Sequence, residues 1–190
     1  MSCEVHLSKL VADQTNLWFA AQGAHWNVVG DDFVQMHDFF GDLADDVLGS
    51  IDPTAENIRK LGFLAPSTLD QAMRLRQAPK VATDLTDPTD QLKAIRVLNN
   101  ALLGSLNEAF SGADSENYQG IANFLADRID MHEKWRWQID SMIGMGGTKA
   151  VDAEDKREEP KEKPAPKKRK PNPVLKKIAP MTARPPKVDR

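Results

Sequence analysis

The 190-residue sequence is poor in the features that mark secreted, disulfide-bonded or membrane-spanning proteins. A single cysteine, Cys3, excludes an internal disulfide and fits a reducing compartment. No apolar run approaches the ~20 residues that a membrane-spanning helix needs. The N-terminal stretch has no basic segment followed by an apolar core, as a secretory signal would have. We therefore expect a cytoplasmic protein with no membrane partner.

Convincing strand patterns and internal repeats are also lacking. Four long segments instead repeat apolar residues at helical spacing, and a shorter one, residues 66–78, lies between the second and third. This pattern predicts an all-α four-helix bundle with a short extra helix between helices 2 and 3. Candidate helix starts are Asp31 for the second helix, Ser67 for the short one, Asp87 for the third, and Asp114 or Ser115 for the fourth.

The charges divide the chain into an acidic body and a basic tail. Residues 1–148 hold 11 Lys and Arg against 21 Asp and Glu, whereas residues 149–190 hold 14 against 7. From Gly146 onward the sequence is rich in proline and lysine, a composition that cannot bury enough apolar surface to fold. We predict a folded domain over residues 1–146, suited to cations, and a disordered tail over residues 147–190, suited to polyanions.

Two of the four histidines, His25 and His37, flank a Gly-Asp-Asp break where two helices are predicted to meet. A lone histidine on an apolar stripe is most often a hydrogen-bonded core residue. The second helix adds carboxylates, because Asp52 and Glu56 fall within about 100° of His37 around the helix axis. Burying these charges beside core residues is costly without a cation or a partner.

These groups cannot meet within one straight helix, since the fifteen residues from His37 to Asp52 span roughly 22 Å. Two copies of the helix, packed antiparallel about a two-fold axis, would place His37 of one chain opposite Asp52 and Glu56 of the other. Such an isologous pair forms two identical sites. Mixed imidazole and carboxylate ligands suit iron, zinc or manganese.

Three segments of the sequence resemble the motifs of a known protein family. The segments "HWNVVGDDFVQMH" (25–37) and "IDPTAENIRKLG" (51–62) resemble the motifs of the Dps proteins, mini-ferritins named for DNA protection during starvation. The later segment "LADRIDMHEKWRWQID" (125–140) is similar to the last helix of that family. The resemblance covers about residues 5–145.

The resemblance implies a ferritin-like bundle that assembles as a homo-oligomer, a hollow cage of twelve chains. It also implies ferroxidase activity: iron is bound as Fe(II), oxidised with peroxide as the preferred oxidant, and stored as ferric mineral inside the cage. The metal ligands would be His25 and His37 from one chain and Asp52 and Glu56 from its neighbour, with Trp26 beside the site.

Three positions depart from the family pattern. The acid that the family supplies as a third ligand from the same chain falls on Gly41, and the neighbouring Asp42 points about 100° away on a helix. Asn57 stands where an arginine usually follows the glutamate ligand. The aspartate that lines the iron-entry pore aligns with Asn123, with Asp127 one turn further on. These departures weaken the prediction of ferroxidase activity and leave the fold prediction unchanged.

The basic tail is predicted to bind DNA without sequence preference, which would associate the protein with the nucleoid. A solubilising or partner-binding tail is the alternative, and "PKKRKP" also resembles a nuclear import signal. The residues proposed to contact DNA are Lys161, Lys163, Lys167, Lys168, Arg169, Lys170, Lys176, Lys177, Arg184 and Lys187.

Three functions remain open from sequence. The first is an active iron oxidase and store, and the second is a cage with a weakened or silent centre that acts mainly by binding DNA or as a structural shell. The third is a helical bundle with purely structural histidines, which the specific motif disfavours. The four remaining ligands favour the first. Two further residues have simpler interpretations, His132 as a core or interface histidine and Trp135 as a packing residue.

Overall fold

The computed structural model describes residues 1–146, which form five α-helices. They are α1 (Cys3–Asn27), α2 (Phe33–Lys60), α3 (Leu69–Leu75), α4 (Pro88–Ser115) and α5 (Gln119–Met142). No β-strand occurs within this range, so the all-α prediction with a short helix between the second and third long helices is confirmed. The predicted basic tail and its proposed DNA-binding residues lie outside the described range.

The four long helices pack around an apolar core. α1 packs against both α2 and α4, α4 packs against α5, and α2 meets α5 only over a short stretch. Fully burying a leucine, isoleucine or phenylalanine side chain contributes about 1.5–3 kcal/mol, so the core side chains dominate the stability of the bundle. Those that are fully buried include Leu7, Leu10, Leu17, Phe40, Leu43, Ile58, Ile95, Leu98, Leu102, Leu106, Leu125 and Ile139.

Two predicted helix starts are off by one residue. The N-cap of α2 is Asp32 rather than Asp31. In α3 the cap is Thr68, whose hydroxyl accepts a hydrogen bond from the Gln71 backbone N–H. Ser67 lies one residue too early, and both its backbone N–H and its hydroxyl donate to the Gln71 side chain instead.

The predicted start of the last helix at Asp114 or Ser115 is wrong, because α4 continues through Ser115 and α5 begins at Gln119. Asn117 turns the chain between them with a φ of 63°, a left-handed conformation that asparagine tolerates better than most residues. The Tyr118 backbone N–H then donates to the Ala113 carbonyl oxygen at 2.8 Å and closes the end of α4.

Helix α2 continues through Pro53, which directly follows the candidate ligand Asp52. Proline has no N–H group, so the Gly49 carbonyl loses its helical donor. Around this point the Thr54 hydroxyl donates to the Ser50 carbonyl oxygen at 2.8 Å. The Gln14 side chain of α1 donates to both hydroxyl oxygens, at 3.0 Å for Ser50 and 3.1 Å for Thr54. Buried polar contacts with α1 therefore hold the helix segment that bears Asp52.

Among residues 1–146, no helix is long and apolar enough to cross a membrane.

Candidate metal centre

His25 and His37 meet at the junction of α1 and α2. His25 lies in the last turn of α1, and His37 lies near the start of α2. The short connection between the helices turns at Gly30, whose φ of 129° is strained for residues with a side chain. The Val29 backbone N–H donates to the Thr86 carbonyl oxygen at 3.1 Å, which ties this connection to the segment before α4.

The two histidines bind each other reciprocally. His25 Nδ1 lies 2.7 Å from the His37 carbonyl oxygen, and His37 Nδ1 lies 2.9 Å from the His25 carbonyl oxygen. Because a carbonyl oxygen only accepts hydrogen bonds, both Nδ1 atoms must be the protonated nitrogens. In the neutral rings, each Nε2 therefore keeps a lone pair that can bind a metal, and this Nδ1–H to carbonyl arrangement is the usual support for a metal-binding histidine.

The imidazole rings are stacked, with centroids 3.7 Å apart and planes inclined by 25°. Phe33 lies against His37, with its ring centroid 5.1 Å from the imidazole centroid. A ring nitrogen binds a metal along a direction in the plane of the ring. Two planes in this arrangement do not cross within the about 2.1 Å reach of a metal–nitrogen bond. One ion therefore cannot use both nitrogens unless the stack opens, and in the stacked form each histidine would serve a separate ion.

Gly41 allows this close approach. A Cβ atom at position 41 would lie 3.0 Å from His25 Nδ1 and 3.2 Å from His25 Cε1, closer than ordinary van der Waals contact. Position 41 thus lies beside the His25 ring, and its correspondence to the family's third ligand stays a prediction. A side chain at this position would require the His25 ring to shift by a few tenths of an ångström.

The predicted acidic ligands do not join the histidines within one chain. Asp52 and Glu56 are exposed and one turn apart on α2, and Asp42 is also exposed. Across residues 1–146, no group of three or more His, Cys, Asp or Glu side chains is arranged to hold a metal ion. Within residues 1–146, the two histidines therefore lie together, and the candidate acids Asp52 and Glu56 lie further along α2.

The remaining candidate residues are on the surface of the described chain. Trp26 is 62% exposed and makes an edge-to-face contact with Phe19, with ring centroids 6.2 Å apart. Asn123 and Asp127 are both exposed on α5. Their assignment to a pore stays a prediction, because a pore forms between chains.

Sequence reasoning missed a polar network inside the bundle. Arg128 of α5 donates to both carboxylate oxygens of Asp46 on α2, at 2.9 and 2.7 Å. Trp135 Nε1 donates to the same carboxylate at 2.9 Å, so Trp135 is more than the packing residue that was predicted. The signal available in the sequence was weak: Arg128 and Trp135 lie on the apolar stripe of their helix, where a charged residue calls for a partner.

His132 extends this network, and its prediction as a core histidine is confirmed by its complete burial. His132 Nδ1 lies 2.7 Å from Asn99 Oδ1, and Nε2 lies 3.3 Å from a guanidinium nitrogen of Arg128. Burial, and then the positive charge of Arg128, lower the pKa of His132 to about 3. Burial acts to raise the pKa of Asp46, but hydrogen bonds from Arg128 and Trp135 outweigh it, so this pKa lies below its usual 3.8. The network is therefore a fixed, ionised pair with a neutral histidine.

Comparison with known proteins agrees with the fold and the motif. A family model described as a ferritin-like domain matches residues 4–146. The DNA protection during starvation protein of Brevibacillus brevis is 29% identical over 141 residues, which cover 73% of this chain and 93% of that protein. A crystal structure of a Dps protein from Bacillus brevis has a TM-score of 0.70 at 26% identity, covering 74% of this chain and 94% of that one.

A second solved structure has a similar fold. It is a Dps protein from Vibrio cholerae O1, described as a member of a broad superfamily of ferritin-like diiron-carboxylate proteins. Its TM-score is 0.71 at 23% identity, over 74% of this chain and 88% of that one. On the match of the family model, this chain belongs to the ferritin-like family, and the named relatives to which it is similar are Dps proteins.

Proposed function

We propose that this protein oxidises Fe(II) at sites shared between two copies of the chain and stores the ferric product inside a cage of twelve chains. The observation that carries this proposal is the reciprocal histidine pair, which leaves two metal-binding Nε2 atoms without a carboxylate from residues 1–146 of their own chain. Asp52 and Glu56 of a second chain, related by a two-fold axis, would supply the missing acidic ligands.

Iron is the substrate of the proposed reaction. Each peroxide molecule takes one electron from each of two Fe(II) ions, its oxygen–oxygen bond breaks, and the ferric ions hydrolyse to mineral and release protons. Imidazole and carboxylate ligands that leave open coordination positions suit such redox chemistry. The chain's own residues bind and orient the iron, since the Nδ1–H contacts to backbone carbonyls fix which ring nitrogens face it.

The exposed side of α2 supports the capture of cations. It bears Asp38, Asp42, Asp45, Asp52 and Glu56, each exposed, and no basic side chain until Arg59. A surface of one charge sign concentrates counter-ions near it. Facing a cage interior, this acidic side would draw Fe(II) inward and offer carboxylates on which ferric mineral can start to grow.

Mixing two inactive variants tests the shared site. One chain lacks both histidines (His25→Ala, His37→Ala), and the other lacks both acids (Asp52→Asn, Glu56→Gln). A two-fold pair with one of each contains one complete site and one site without ligands. Random co-assembly should therefore restore about a quarter of the parent's site number, because half of the pairs are mixed and each mixed pair has one complete site of two. Activity that stays absent in the mixture, with assembly intact, would show that the site is not shared.

A second candidate function rests on Gly41. Without a carboxylate at this position the centre has fewer negative charges to hold Fe(II), and the space is taken by the His25 ring. The alternative is a cage with a weakened or silent ferroxidase centre that acts mainly by binding DNA or as a structural shell. Stopped-flow oxidation with peroxide distinguishes the two, since a silent centre would oxidise iron no faster than buffer alone.

DNA protection is proposed for the basic tail. Residues 160–190 contain 11 Lys and Arg against Glu162 and Asp189. Twelve tails on one particle would bind duplex DNA with many weak phosphate contacts at once, which gives high avidity and a steep dependence on salt. The Dps relatives are named for DNA protection, and this chain's tail is the segment whose charge suits that role.

A further inference from the structure

A cavity of about 680 Å³ lies away from the histidine pair, between α1, α3, α4 and the connection that follows α3. Its volume falls within the range of pockets that hold small molecules, about 300–1,000 Å³. Most of its lining residues are apolar, among them Phe19, Ala24, Leu85, Ile95 and Leu98. The metal chemistry proposed above makes no use of this space.

Small residues on the helix walls keep the cavity open. Ala20, Gly23 and Ala24 of α1 and Ala94 of α4 line it. A Cβ atom added at Gly23 would meet no atom within 4 Å, so there is open space beside α1 at this residue. Glycine inside a helix is unfavourable relative to alanine, and here no close packing contact requires it.

One side of the cavity is formed by the connection of residues 76–86, called the arch below, which is held by hydrogen bonds at both ends. At its start, the backbone N–H groups of Gln77 and Ala78 donate to one carboxylate oxygen of Asp13, at 2.8 and 2.9 Å. The other oxygen of Asp13 accepts from the Ser105 hydroxyl at 2.6 Å, and Asp13 is 1% exposed. A buried carboxylate with three donors holds this end of the arch firmly.

The far end of the arch is tied by two contacts. Gln91 Nε2 donates to the Leu85 carbonyl oxygen at 2.8 Å, and the Val29 backbone N–H donates to the Thr86 carbonyl oxygen at 3.1 Å. Gln91 lines the cavity and is 3% exposed, and its Oε1 has no hydrogen-bond partner among the described residues. An arch anchored at both ends above small side chains keeps the cavity from collapsing.

Two cations and one acid are present on the lining. Arg76 donates to Asn16 Oδ1 at 3.1 Å, and Lys80 is exposed on the arch. Neither forms an ion pair within residues 1–146, whereas the carboxylate of Asp84 accepts from the neighbouring Thr83 hydroxyl. The free positive charges favour a ligand with an anionic group, and the apolar walls favour a hydrophobic body.

We propose that this cavity binds a small amphipathic anion, with an apolar body under the arch and its negative group beside Arg76 and Lys80. An N–H or O–H group on the ligand would satisfy the unpaired Gln91 acceptor. Binding would link α1, α3 and α4 and so stabilise the arch. The proposal does not depend on iron oxidation or on the histidine pair.

Fluorescent probes test the site on the full-length assembled protein. Anilinonaphthalene sulfonate has an apolar aromatic body, an N–H group and a sulfonate, and phenylnaphthylamine is its uncharged counterpart. We expect saturable binding of about one sulfonate probe per chain, with weaker binding of the uncharged probe. Size exclusion and circular dichroism on the same samples show that the protein is assembled and folded.

Matched variants assign the bound probe to the cavity. Gly23→Leu fills it from α1 and should weaken binding at least about tenfold, a change of about 1.4 kcal/mol. Ala94→Leu fills it from α4 and should act in the same direction. Gly104→Leu is the control, because Gly104 is an exposed helical glycine outside the cavity, also with no atom near its Cβ position. Lys80→Gln should weaken only the sulfonate probe, by about two- to fivefold.

Three results would overturn the proposal. One is the absence of saturable binding to the assembled protein. Another is binding that Gly23→Leu and Ala94→Leu leave unchanged while both variants remain folded. The third is binding to dissociated chains alone, which would identify the arch as a contact between copies of the chain.

Discussion

His25 and His37 each donate a hydrogen bond from Nδ1 to the backbone carbonyl oxygen of the other, at 2.7 and 2.9 Å. This reciprocal pair joins the end of α1 to the start of α2 and sets both rings in the tautomer that leaves Nε2 available. A Cβ atom at position 41 would lie 3.0 Å from His25 Nδ1, so a side chain there would require the His25 ring to shift. The candidate metal site and the local packing therefore depend on the same three residues.

Gly41→Ala is expected to lower the free energy of unfolding by about 1 kcal/mol. Overpacking costs about 1–3 kcal/mol, and replacing a helical glycine returns about 0.5–1 kcal/mol. Gly49→Ala on the same helix is the control, because its Cβ position is free of neighbours and only the gain applies. Urea titration of both variants gives the comparison. Equal stabilisation by the two substitutions would mean that the His25 ring is not held against position 41.

Gly41→Asp tests whether the position reaches iron. The aspartate places the same Cβ against His25 as alanine does, and it adds the carboxylate that the family pattern supplies there. We expect peroxide-driven oxidation to be slower than the parent in Gly41→Ala, because His25 is displaced, and faster in Gly41→Asp than in Gly41→Ala. Stopped-flow rates decide this prediction, and identical rates in the two variants would place position 41 outside the metal site.

The assembled particle should contain twelve chains. Twelve times 21.1 kDa gives about 253 kDa. Light scattering coupled to size exclusion measures this mass directly. A monomer at micromolar concentration would contradict both the cage and the shared iron site, since residues 1–146 of one chain bring no acidic ligand to its histidine pair.

Deleting residues 149–190 should abolish the gel shift of duplex DNA at low salt. The deletion removes 14 of the 25 Lys and Arg residues and leaves a body with an excess of acids, which DNA repels. The full-length protein should lose affinity steeply as salt rises, in proportion to the number of phosphates neutralised. An unchanged shift after deletion would assign DNA binding to the folded body.

His132 should make the stability depend on pH below neutrality. Its pKa is lowered to about 3 in the folded chain, so between its ordinary value of 6.5 and about 3 the unfolded chain binds a proton that the folded chain does not. The contribution of neutral His132 to the free energy of unfolding is therefore complete above pH 6.5. It falls as the pH drops, by up to about 1.4 kcal/mol per pH unit. Asp46 acts in the same direction, but only below its usual pKa of 3.8.

Urea titrations between pH 7 and 5 isolate the contribution of His132. His132→Gln cannot gain this proton, so its stability should change less with pH than that of the parent, although its stability at pH 7 is lower. Parallel slopes in the two proteins would show that His132 is not the buried group responsible.

Arg128→Met should destabilise the bundle by about 2–3 kcal/mol, less than the about 3–5 kcal/mol lost when one partner of a fully buried ion pair is removed. The smaller value follows from the side-chain exposures of 14% for Arg128 and 21% for Asp46. The double variant Arg128→Met, Asp46→Asn should recover part of the loss, since no unpaired charge remains. Additive losses in the double variant would show that the two side chains do not interact energetically.

The all-α bundle and the meeting of His25 with His37 could be predicted from the sequence, because both follow from local spacing. Apolar residues at helical intervals fix which faces are buried. A short break between two long helices forces their adjoining ends together, and a histidine on each side of the break then falls at the junction. The structure places position 41 beside the His25 ring, whereas its alignment with a ligand position stays a prediction.

Only the tertiary structure decided the contacts between residues far apart in the chain. The end of α4 and the start of α5 depend on the left-handed Asn117 and on the Tyr118 contact to Ala113. In the sequence, however, Asp114 and Ser115 look like ordinary helix caps. The partners of Asp46, in Arg128 and Trp135, lie 82 and 89 residues away, and the buried Asp13 holds an arch 64 residues away. Apolar periodicity tells which side of a helix is buried, but the partner of a buried polar group depends on how the helices are placed beside one another, and sequence spacing does not contain that information.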